Sequence, residues 1–272
     1  AEEAELSTQE WKQILEKCRE IGIPQITFTG GEPTMREDLA ELIAHAKWFV
    51  TRLNTNGVKL TPQYCEELKK AELDSVQVTF YDVQEEVHNK LVGASNYDKT
   101  VDGIKNALAA GLNLSINTPL CKLNKDYVST LRVLKELGVE YVTCSGLITT
   151  GNATMEASEI TQLSKEEIKE VLKAAVEYCY SNSMEISFTS PGWIEESFFQ
   201  ELSISTPSCG ACLSNMAITP GGNVVPCQSW LTGDVLGHIL QDDWESIWNS
   251  DKCVERREYS AKIQGECPLR RR

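Results

Sequence analysis

The alternation of apolar and polar segments along the first two thirds of the chain is typical of a β/α protein. Short β-branched or apolar runs recur, and most are followed by a segment with helical periodicity. Because strands separated by helices pair in parallel, the pattern predicts an α/β fold, a partial (β/α)6 TIM-like barrel with its chemistry at the carboxyl ends of the strands. We expect strands at Gln25–Thr29, Phe49–Asn54, Ser75–Tyr81, Asn113–Pro119, Tyr141–Ile148 and Glu185–Thr189.

The helices are marked by capping signals. Ser7 with Glu10, and Ser164 with Glu167, have the S-x-x-E spacing of a capping box, and Thr61-Pro62 opens another helix. The pattern predicts helices over roughly residues 11–21, 36–47, 62–71, 97–110, 126–137 and 164–180.

The pattern changes after Ser190-Pro-Gly. Residues 200–235 are rich in Ser, Pro, Gly and Cys, and a short helix is expected near Asp243–Asn249. We therefore expect a barrel over residues 1–195 and a small Cys-rich C-terminal domain over residues 196–272. The chain begins almost directly with a helix and stops inside a cysteine-bearing segment, so we also expect it to be cut at both ends.

Composition narrows the function classes. The chain has 272 residues, 41% of them hydrophobic, and 40 acidic residues against 26 basic ones give a net charge of −14. An acidic chain disfavours nucleic acid and anionic membranes as partners, because both attract clustered Lys and Arg. No apolar run is long enough to span a bilayer and the first residues are no signal peptide, so we expect a cytoplasmic protein.

Ten cysteines are unusual for such a chain. Disulfides are rare in the cytosol, so clustered cysteines indicate metal or cluster ligands first. Five stand alone within predicted helices or strands and are expected to be small buried hydrophobes: Cys18, Cys65, Cys121, Cys144 and Cys179. The other five crowd the last quarter of the chain.

Polar and glycine-rich turns follow the predicted strands. The first strand ends in Thr29-Gly30-Gly31-Glu32-Pro33, and the second in Asn54-Thr55-Asn56-Gly57. The paired glycines allow close approach of a ligand to the backbone, and Glu32 offers a carboxylate suited to an ammonium group. Thr79 and Asn117 occupy the same edge on the third and fourth strands. One polar side chain per strand end predicts a ligand site, although an ordinary βα turn would also explain each motif alone.

In these motifs the sequence resembles the radical S-adenosylmethionine (SAM) enzymes. The elements are GGEP, the TNG turn one βα unit later, and Thr79 followed by His88-Asn-Lys-Leu-Val-Gly93. The resemblance implies that Gly30, Gly31 and Glu32, with Pro33, hold the methionyl amino group of SAM. It also implies that Thr55, Asn56, Thr79 and Asn117 line the methionyl and ribose parts, with Leu147–Ile148 beside the adenine.

One departure from the family is plain. Its C-x-x-x-C-x-x-C loop, which holds a [4Fe–4S] cluster through three thiolates, should precede the first helix, and no such triplet occurs in this chain. Either the loop lies before residue 1, which the abrupt start favours, or the protein does not cleave SAM reductively.

The C-terminal cysteines carry a second motif. Cys209-Gly-Ala-Cys212 is a C-x-x-C, and the turn at Pro220-Gly221-Gly222 would return Cys227 to it by a hairpin. This segment resembles the auxiliary-cluster domain called SPASM, or its shorter twitch form. The resemblance implies that Cys209, Cys212 and Cys227 hold an auxiliary [4Fe–4S] cluster and that Cys267 begins a second motif.

Other metal assignments remain open at this point. A structural zinc site built from the three cysteines with Cys267 or His238 is the main rival. Cys253 lies in a charged helical stretch and is expected to be a bystander. His45 and His88 have no paired metal spacing and are expected to be structural.

The resemblance implies that a reduced cluster cleaves SAM to a 5′-deoxyadenosyl radical, which abstracts hydrogen from a substrate. In the sulfatase-maturing branch an Asp base directly follows the cysteine aligned with Cys227. Gln228 stands there, which disfavours that branch. Glu195 and Glu196 are acids near the domain junction, and we interpret them as a solvated face.

The leading hypothesis is a radical SAM enzyme that acts on a peptide or a peptide-derived cofactor precursor. Its electron donor would be a reductase, a flavodoxin or a ferredoxin, and its charge would favour a basic peptide. Two alternatives stay open. One is a twitch-type enzyme with a small-molecule substrate, similar to the molybdopterin-precursor cyclase. The other is a non-catalytic barrel whose cysteines bind zinc or one cluster.

Overall fold

A six-stranded parallel sheet forms the larger part of the protein. The computed structural model describes residues 4–146, 162–192, 194–230 and 234–262. The strands pair in chain order, β1 to β6, which confirms the predicted α/β partial barrel. Their bounds are β1 Gln25–Phe28, β2 Val50–Thr55, β3 Ser75–Thr79, β4 Leu114–Leu120, β5 Tyr141–Gly146 and β6 Glu185–Phe188.

Helices cover one face of this sheet. Both predicted capping boxes are present, at Ser7 with Glu10 and at Ser164 with Glu167. The predicted helix at 36–47 is shorter than expected, covering Leu39–His45, and a 3-10 turn over Pro33–Met35 precedes it. The helices are α1 Thr8–Ile21, α2 Leu39–His45, α3 Pro62–Lys70, α4 Glu85–Val92, α5 Tyr97–Ala109, α6 Tyr127–Leu137, α7 Lys165–Ser181, α8 Glu196–Glu201, α9 Trp244–Trp248 and α10 Asp251–Lys262.

Helix α4 was not predicted. It buries one side chain fully, that of His88, whose ring packs against Phe80 and Tyr97. The Nδ1 atom of His88 accepts the Tyr81 N–H at 3.3 Å, and burial lowers the pKa of the ring. A neutral buried imidazole of this kind supports the structural role expected from the sequence.

The main core lies between the sheet and helices α2 to α8. Each strand sends alternate residues into it, as β4 does with Leu114, Ile116 and Leu120. The five lone cysteines are all buried, as predicted. Burial raises the pKa of Cys18 and Cys65 to about 11, so both are expected to be unreactive thiols.

A second core joins the two ends of the chain. Ile14, Leu15 and Cys18 of α1 are buried together with Val224, Ile247 and other residues of the last quarter. In addition, Lys17 donates to the carbonyl oxygens of Ile239 and Asp242, at 2.5 and 2.7 Å. The expected boundary near residue 195 therefore does not separate the hydrophobic cores, because α1 shares one with the C-terminal residues.

A small antiparallel sheet organises the C-terminal part. Its strands are β7 Ala217–Ile218, β8 Asn223–Val225 and β9 Gly237–His238, paired in that order. Gly222 in the first turn has φ 92°, and a Cβ there would lie 2.7 Å from the His238 ring. The turn thus requires glycine for both conformation and space.

None of the helices in the described part of the chain combines the length and the apolar character needed to cross a membrane.

Candidate functional site

The concave face of the sheet is lined by polar side chains. The strand residues that do not enter the core are mostly Ser, Thr, Asn and Gln, as in β3, where Ser75, Gln77 and Thr79 alternate with buried valines. TIM barrels usually fill this space with bulky apolar residues. A polar concave face is instead suited to a bound polar ligand.

One row of this face crosses four strands. In the strand register Thr79 pairs with Asn117, Asn117 with Thr143, and Thr143 with Ser187. Thr143 donates to the Asn117 Oδ1 at 2.8 Å and accepts from the Gln77 amide at 3.3 Å. Thr79 and Asn117, both predicted from the sequence, therefore lie side by side, and their row extends further across the sheet than expected.

The sequence did not single out Thr143 and Ser187, which belong to this row, or Gln77, which donates to Thr143. Their signal was present in the two-residue alternation of β3, β5 and β6, which places them on the same face as Thr79 and Asn117.

The Glu32 carboxylate ties the turns after β1 and β2 together. Its Oε1 accepts from the Thr34 backbone at 3.1 Å, from the Thr34 hydroxyl at 2.6 Å and from the Thr55 hydroxyl at 2.7 Å. Its Oε2 accepts from the Asn56 backbone at 2.7 Å. A carboxylate offers about four acceptor positions, two on each oxygen, so Oε1 is crowded by three donors while Oε2, with one donor, retains a position for a ligand. The structure gives Glu32 the role of a clamp between the two turns.

Thr55 and Asn56 complete the clamp. Thr55 is 4% exposed, and its hydroxyl oxygen also accepts from the Gly57 N–H at 3.1 Å. The Asn56 side chain accepts from the Val58 N–H at 2.9 Å. Both side chains therefore shape the second turn, a positioning role in addition to the ligand contacts that the resemblance implies.

Helix α5 fixes the second turn from behind. Thr100 donates to the carbonyl oxygen of Asn56 at 3.1 Å. A Cβ at Gly103 would lie 2.1 Å from the carbonyl oxygen of Gly57, so helix and turn touch through their backbones.

The glycines of the first turn present open backbone. A Cβ built at Gly30 or Gly31 would meet nothing within 4 Å, and Gly30 has φ 143°. Pro33 then opens the 3-10 turn. Backbone polar groups at the mouth of the sheet, held by the Glu32 clamp and free of side-chain cover, fit a polar ligand such as the methionyl end of SAM. Ile148, predicted beside the adenine, lies outside the described residues.

The β7–β8 hairpin brings two of the predicted thiol ligands together. The Cys212 N–H donates to the carbonyl oxygens of Asn215 at 3.0 Å and of Pro226 at 3.3 Å, which places Cys212 beside the residue before Cys227. Cys212 has φ 56°, in the left-handed region. The hairpin therefore brings the backbone next to Cys227 back to the C-x-x-C, as expected from the sequence.

The thiols of the C-x-x-C face helix α10. Cys209 lies 3.7 Å from the hydroxyl of Ser260, and Cys212 is fully buried next to Cys253. Burial and the contact with Cys253 raise the pKa of the Cys212 thiol above its ordinary value. Cys227 is half-buried, and Cys267 lies outside the described residues.

The type and arrangement of the side chains around the C-x-x-C limit which metal group they can bind. Among the residues that the structure describes, no three His, Cys, Asp or Glu side chains converge closely enough for a single metal ion. Thiolates are the usual ligands of iron–sulfur clusters, so the donor type of Cys209, Cys212 and Cys227 suits such a cluster.

Glu195 forms ion pairs instead of facing the sheet. Its carboxylate pairs with Lys165 at 2.8 Å and with Lys169. These two lysines lower the pKa of Glu195 to about 2. A carboxylate paired in this way on the surface is a poor general base, in agreement with its interpretation as part of a solvated face.

Comparison with known proteins identifies both parts of the chain. The sequence model of the Radical SAM superfamily matches residues 2–134, and that of the SPASM iron–sulfur cluster-binding domain matches residues 209–268.

Solved structures share the fold. Streptococcus suis SuiB bound to S-adenosylmethionine has a TM-score of 0.75 at 16% identity, covering 92% of this chain and 60% of SuiB. SuiB bound to the precursor peptide SuiA gives 0.73 at 16%, covering 91% and 58%. The protein anSMEcpe with AdoMet and the Cp18Cys peptide gives 0.72 at 17%, covering 95% and 76%.

At 16–17% identity these structures show a shared fold and nothing more. The chain spans about 60% of the length of the SuiB chain bound to SAM. The cofactors of the two matched domains are iron–sulfur clusters and SAM. The chain therefore carries a radical SAM domain over residues 2–134 and a SPASM iron–sulfur domain over residues 209–268.

Proposed function

We propose that the protein is a radical SAM enzyme that modifies a peptide. SAM would bind at the carboxyl ends of β1 to β4, and an auxiliary cluster would sit on Cys209, Cys212 and Cys227. We also propose the division into a barrel over residues 1–195 and an auxiliary domain over residues 196–272. The observation that carries this proposal is the combination, in one chain, of an open glycine turn clamped by Glu32 and a buried thiol hairpin.

The residues at the strand ends would orient SAM. The backbone of Gly30 and Gly31 is accessible to the methionyl amino group, and Thr79 and Asn117 offer hydroxyl and amide groups on the next strands. When bound, a reduced cluster and SAM would supply a radical able to abstract hydrogen. The protein's part is to bind, to orient and to exclude water.

A peptide is the favoured substrate class for two reasons. SuiB and anSMEcpe, which share the fold, have been solved with peptides bound. The net charge of −14 would also steer a basic peptide toward the protein. A flavodoxin, a ferredoxin or a reductase in the cytoplasm would supply electrons.

The test uses the full-length protein, purified without oxygen. We expect iron and sulfide in equal amounts, SAM binding, and formation of 5′-deoxyadenosine that rises when a peptide pool is added. Zinc without iron would refute the proposal and favour a metal-binding barrel. Stimulation by a pool of small metabolites but by no peptide would favour the twitch-type small-molecule alternative.

A further inference from the structure

The concave face of the sheet carries two isolated charges. The strand register places Arg52 beside Ser75, and Tyr141 beside Glu185. All four alternate along their strands with residues buried in the core, so they belong to the concave face. Within the six strands of the parallel sheet, all of which the structure describes, Arg52 is the one cation and Glu185 the one anion.

Arg52 has no acidic partner among the residues that the structure describes. Its Nε donates to the Ser75 hydroxyl at 3.4 Å. By contrast, Arg36 pairs with both Glu5 and Asp38. A guanidinium group without an ion pair, facing the inside of a half-open barrel, suits a carboxylate of a bound molecule, because it can hold both oxygens by parallel hydrogen bonds.

The position of Arg52 argues against SAM as the source of that carboxylate. Arg52 donates to Ser75, the first residue of β3, whereas Thr79, which would contact SAM, is the last. At about 3.3 Å per residue these two positions are about 13 Å apart. A molecule that reaches Arg52 therefore extends away from the SAM site, into the space that the substrate of the proposed reaction would occupy.

The opposite side of the face fits a basic side chain. Glu185, the first residue of β6, is exposed and forms no ion pair with the described residues. Tyr141, beside it in the register, is 43% exposed although it is aromatic. A Lys or Arg side chain is attracted both by a carboxylate and by the face of a phenol ring. The two side chains together therefore suit a basic residue of a bound peptide.

Asn54 offers a further contact on this face. It follows Arg52 by two residues on β2, one step nearer to the SAM site. Its Oδ1 is buried and accepts no hydrogen bond from the described residues. A buried acceptor without a donor is unfavourable, and a backbone N–H of an extended peptide would supply the donor.

The distance between the two charges limits the length of the peptide segment. Arg52 lies on β2 and Glu185 on β6, four strand spacings of about 4.8 Å apart, or about 19 Å along the sheet. An extended peptide covers about 3.3 Å per residue, so about six residues span this path. The curvature of the sheet shortens the direct distance, which makes six an upper limit.

We propose that Arg52 and Glu185 determine which peptides the protein accepts. Arg52 binds a carboxylate of the substrate, and Glu185 with Tyr141 binds a Lys or Arg side chain within about six residues of it. The inference rests on the proposed function and adds the charge pattern of the peptide. The residue to be modified lies between the two charged groups, where it faces Thr79 and the other polar side chains near SAM.

The experiment uses charge-swap variants of the full-length protein, handled without oxygen. Arg52→Glu and Glu185→Lys are compared with Arg132→Glu and Glu177→Lys, which make the same charge changes at exposed positions of α6 and α7. The probes are four pools of short synthetic peptides. The acid–base pool carries one Asp and one Lys per peptide, the base-only pool has Lys at both positions, the acid-only pool has Asp at both, and the neutral pool has neither.

The readouts are 5′-deoxyadenosine formed, the change in peptide mass, and peptide binding by fluorescence anisotropy. The wild type and both helix variants should favour the acid–base pool over the neutral pool by about tenfold or more. We expect Arg52→Glu to favour the base-only pool and Glu185→Lys to favour the acid-only pool. Activity that returns with the complementary pool shows that the variant is folded.

Three results would count against these assignments. Equal use of the neutral and acid–base pools by the wild type, or an unchanged preference in both charge-swap variants, would overturn the inference and leave the proposed function intact. Loss of activity on every pool in a charge-swap variant that still binds SAM would also overturn it, because the residue would then be structural. A wild-type protein that no peptide stimulates would instead refute the proposed function.

Discussion

Two threonines on strand β2 allow a sharp test of the Glu32 clamp. Thr55, at the carboxyl end, donates to Glu32 at 2.7 Å, and Thr51, at the amino end, donates to Asp74 at 3.0 Å. Both hydroxyls are buried and both bind a carboxylate. A hydrogen bond to a charged group contributes about 1.5–3 kcal/mol, so Thr55→Val and Thr51→Val should each lower the free energy of unfolding by about that amount.

The two variants should differ in ligand binding. Loss of the Thr55 hydroxyl releases one side of the clamp between the two turns that would hold SAM, whereas Thr51 lies at the opposite end of the strand. We expect Thr55→Val to weaken SAM binding about tenfold or more, the equivalent of about 1.4 kcal/mol, and Thr51→Val to leave it unchanged.

Urea unfolding and isothermal calorimetry of the full-length protein measure the two effects. Equal SAM affinity in both variants, with equal losses of stability, would show that the clamp has no part in binding. A Thr55→Val protein as stable as the wild type would show that the hydrogen bond contributes less than its geometry indicates.

Two further substitutions test the supports around the strand ends. Gly103→Ala should destabilise the protein in urea unfolding although alanine favours helices by about 1 kcal/mol, because its Cβ would lie 2.1 Å from the Gly57 carbonyl oxygen; a gain in stability would contradict this. Asp82 is buried, which raises its pKa, and it accepts the Gln84 N–H at 2.7 Å. Because the folded state then holds this proton more tightly than the unfolded state, stability should fall as the pH rises from about 4 through the folded pKa. Asp82→Asn retains an acceptor and should be free of this fall, so parallel curves for both proteins across a pH series would refute the assignment.

Much of the fold could be predicted because its signals are local. Strands such as Leu114–Leu120 show the two-residue alternation of a half-buried sheet. The start of α1 is marked by a signal only four residues long, the capping box from Ser7 to Glu10. The GGEP and TNG turns were identified in the same way, as short motifs at strand ends.

The parts that escaped prediction depend on contacts between distant residues. The hydrogen bond from Thr55 to the Glu32 carboxylate is one example, because Thr55 belongs to the neighbouring turn, which approaches only once β1 and β2 pair. The position of Cys253 next to Cys212 likewise appears only when α10 packs against the hairpin.

The second core also has a consequence for synthesis of the protein. Helix α1 is made before the residues that cover it, because Lys17 precedes Ile239, whose carbonyl oxygen it binds, by 222 residues. At about 5–20 residues per second, the ribosome needs roughly 10 to 45 seconds to supply that partner. During this interval the apolar side of α1, with Ile14 and Leu15, remains exposed on the nascent chain. We expect this helix to be a chaperone-binding segment in the cell until the last quarter of the chain emerges.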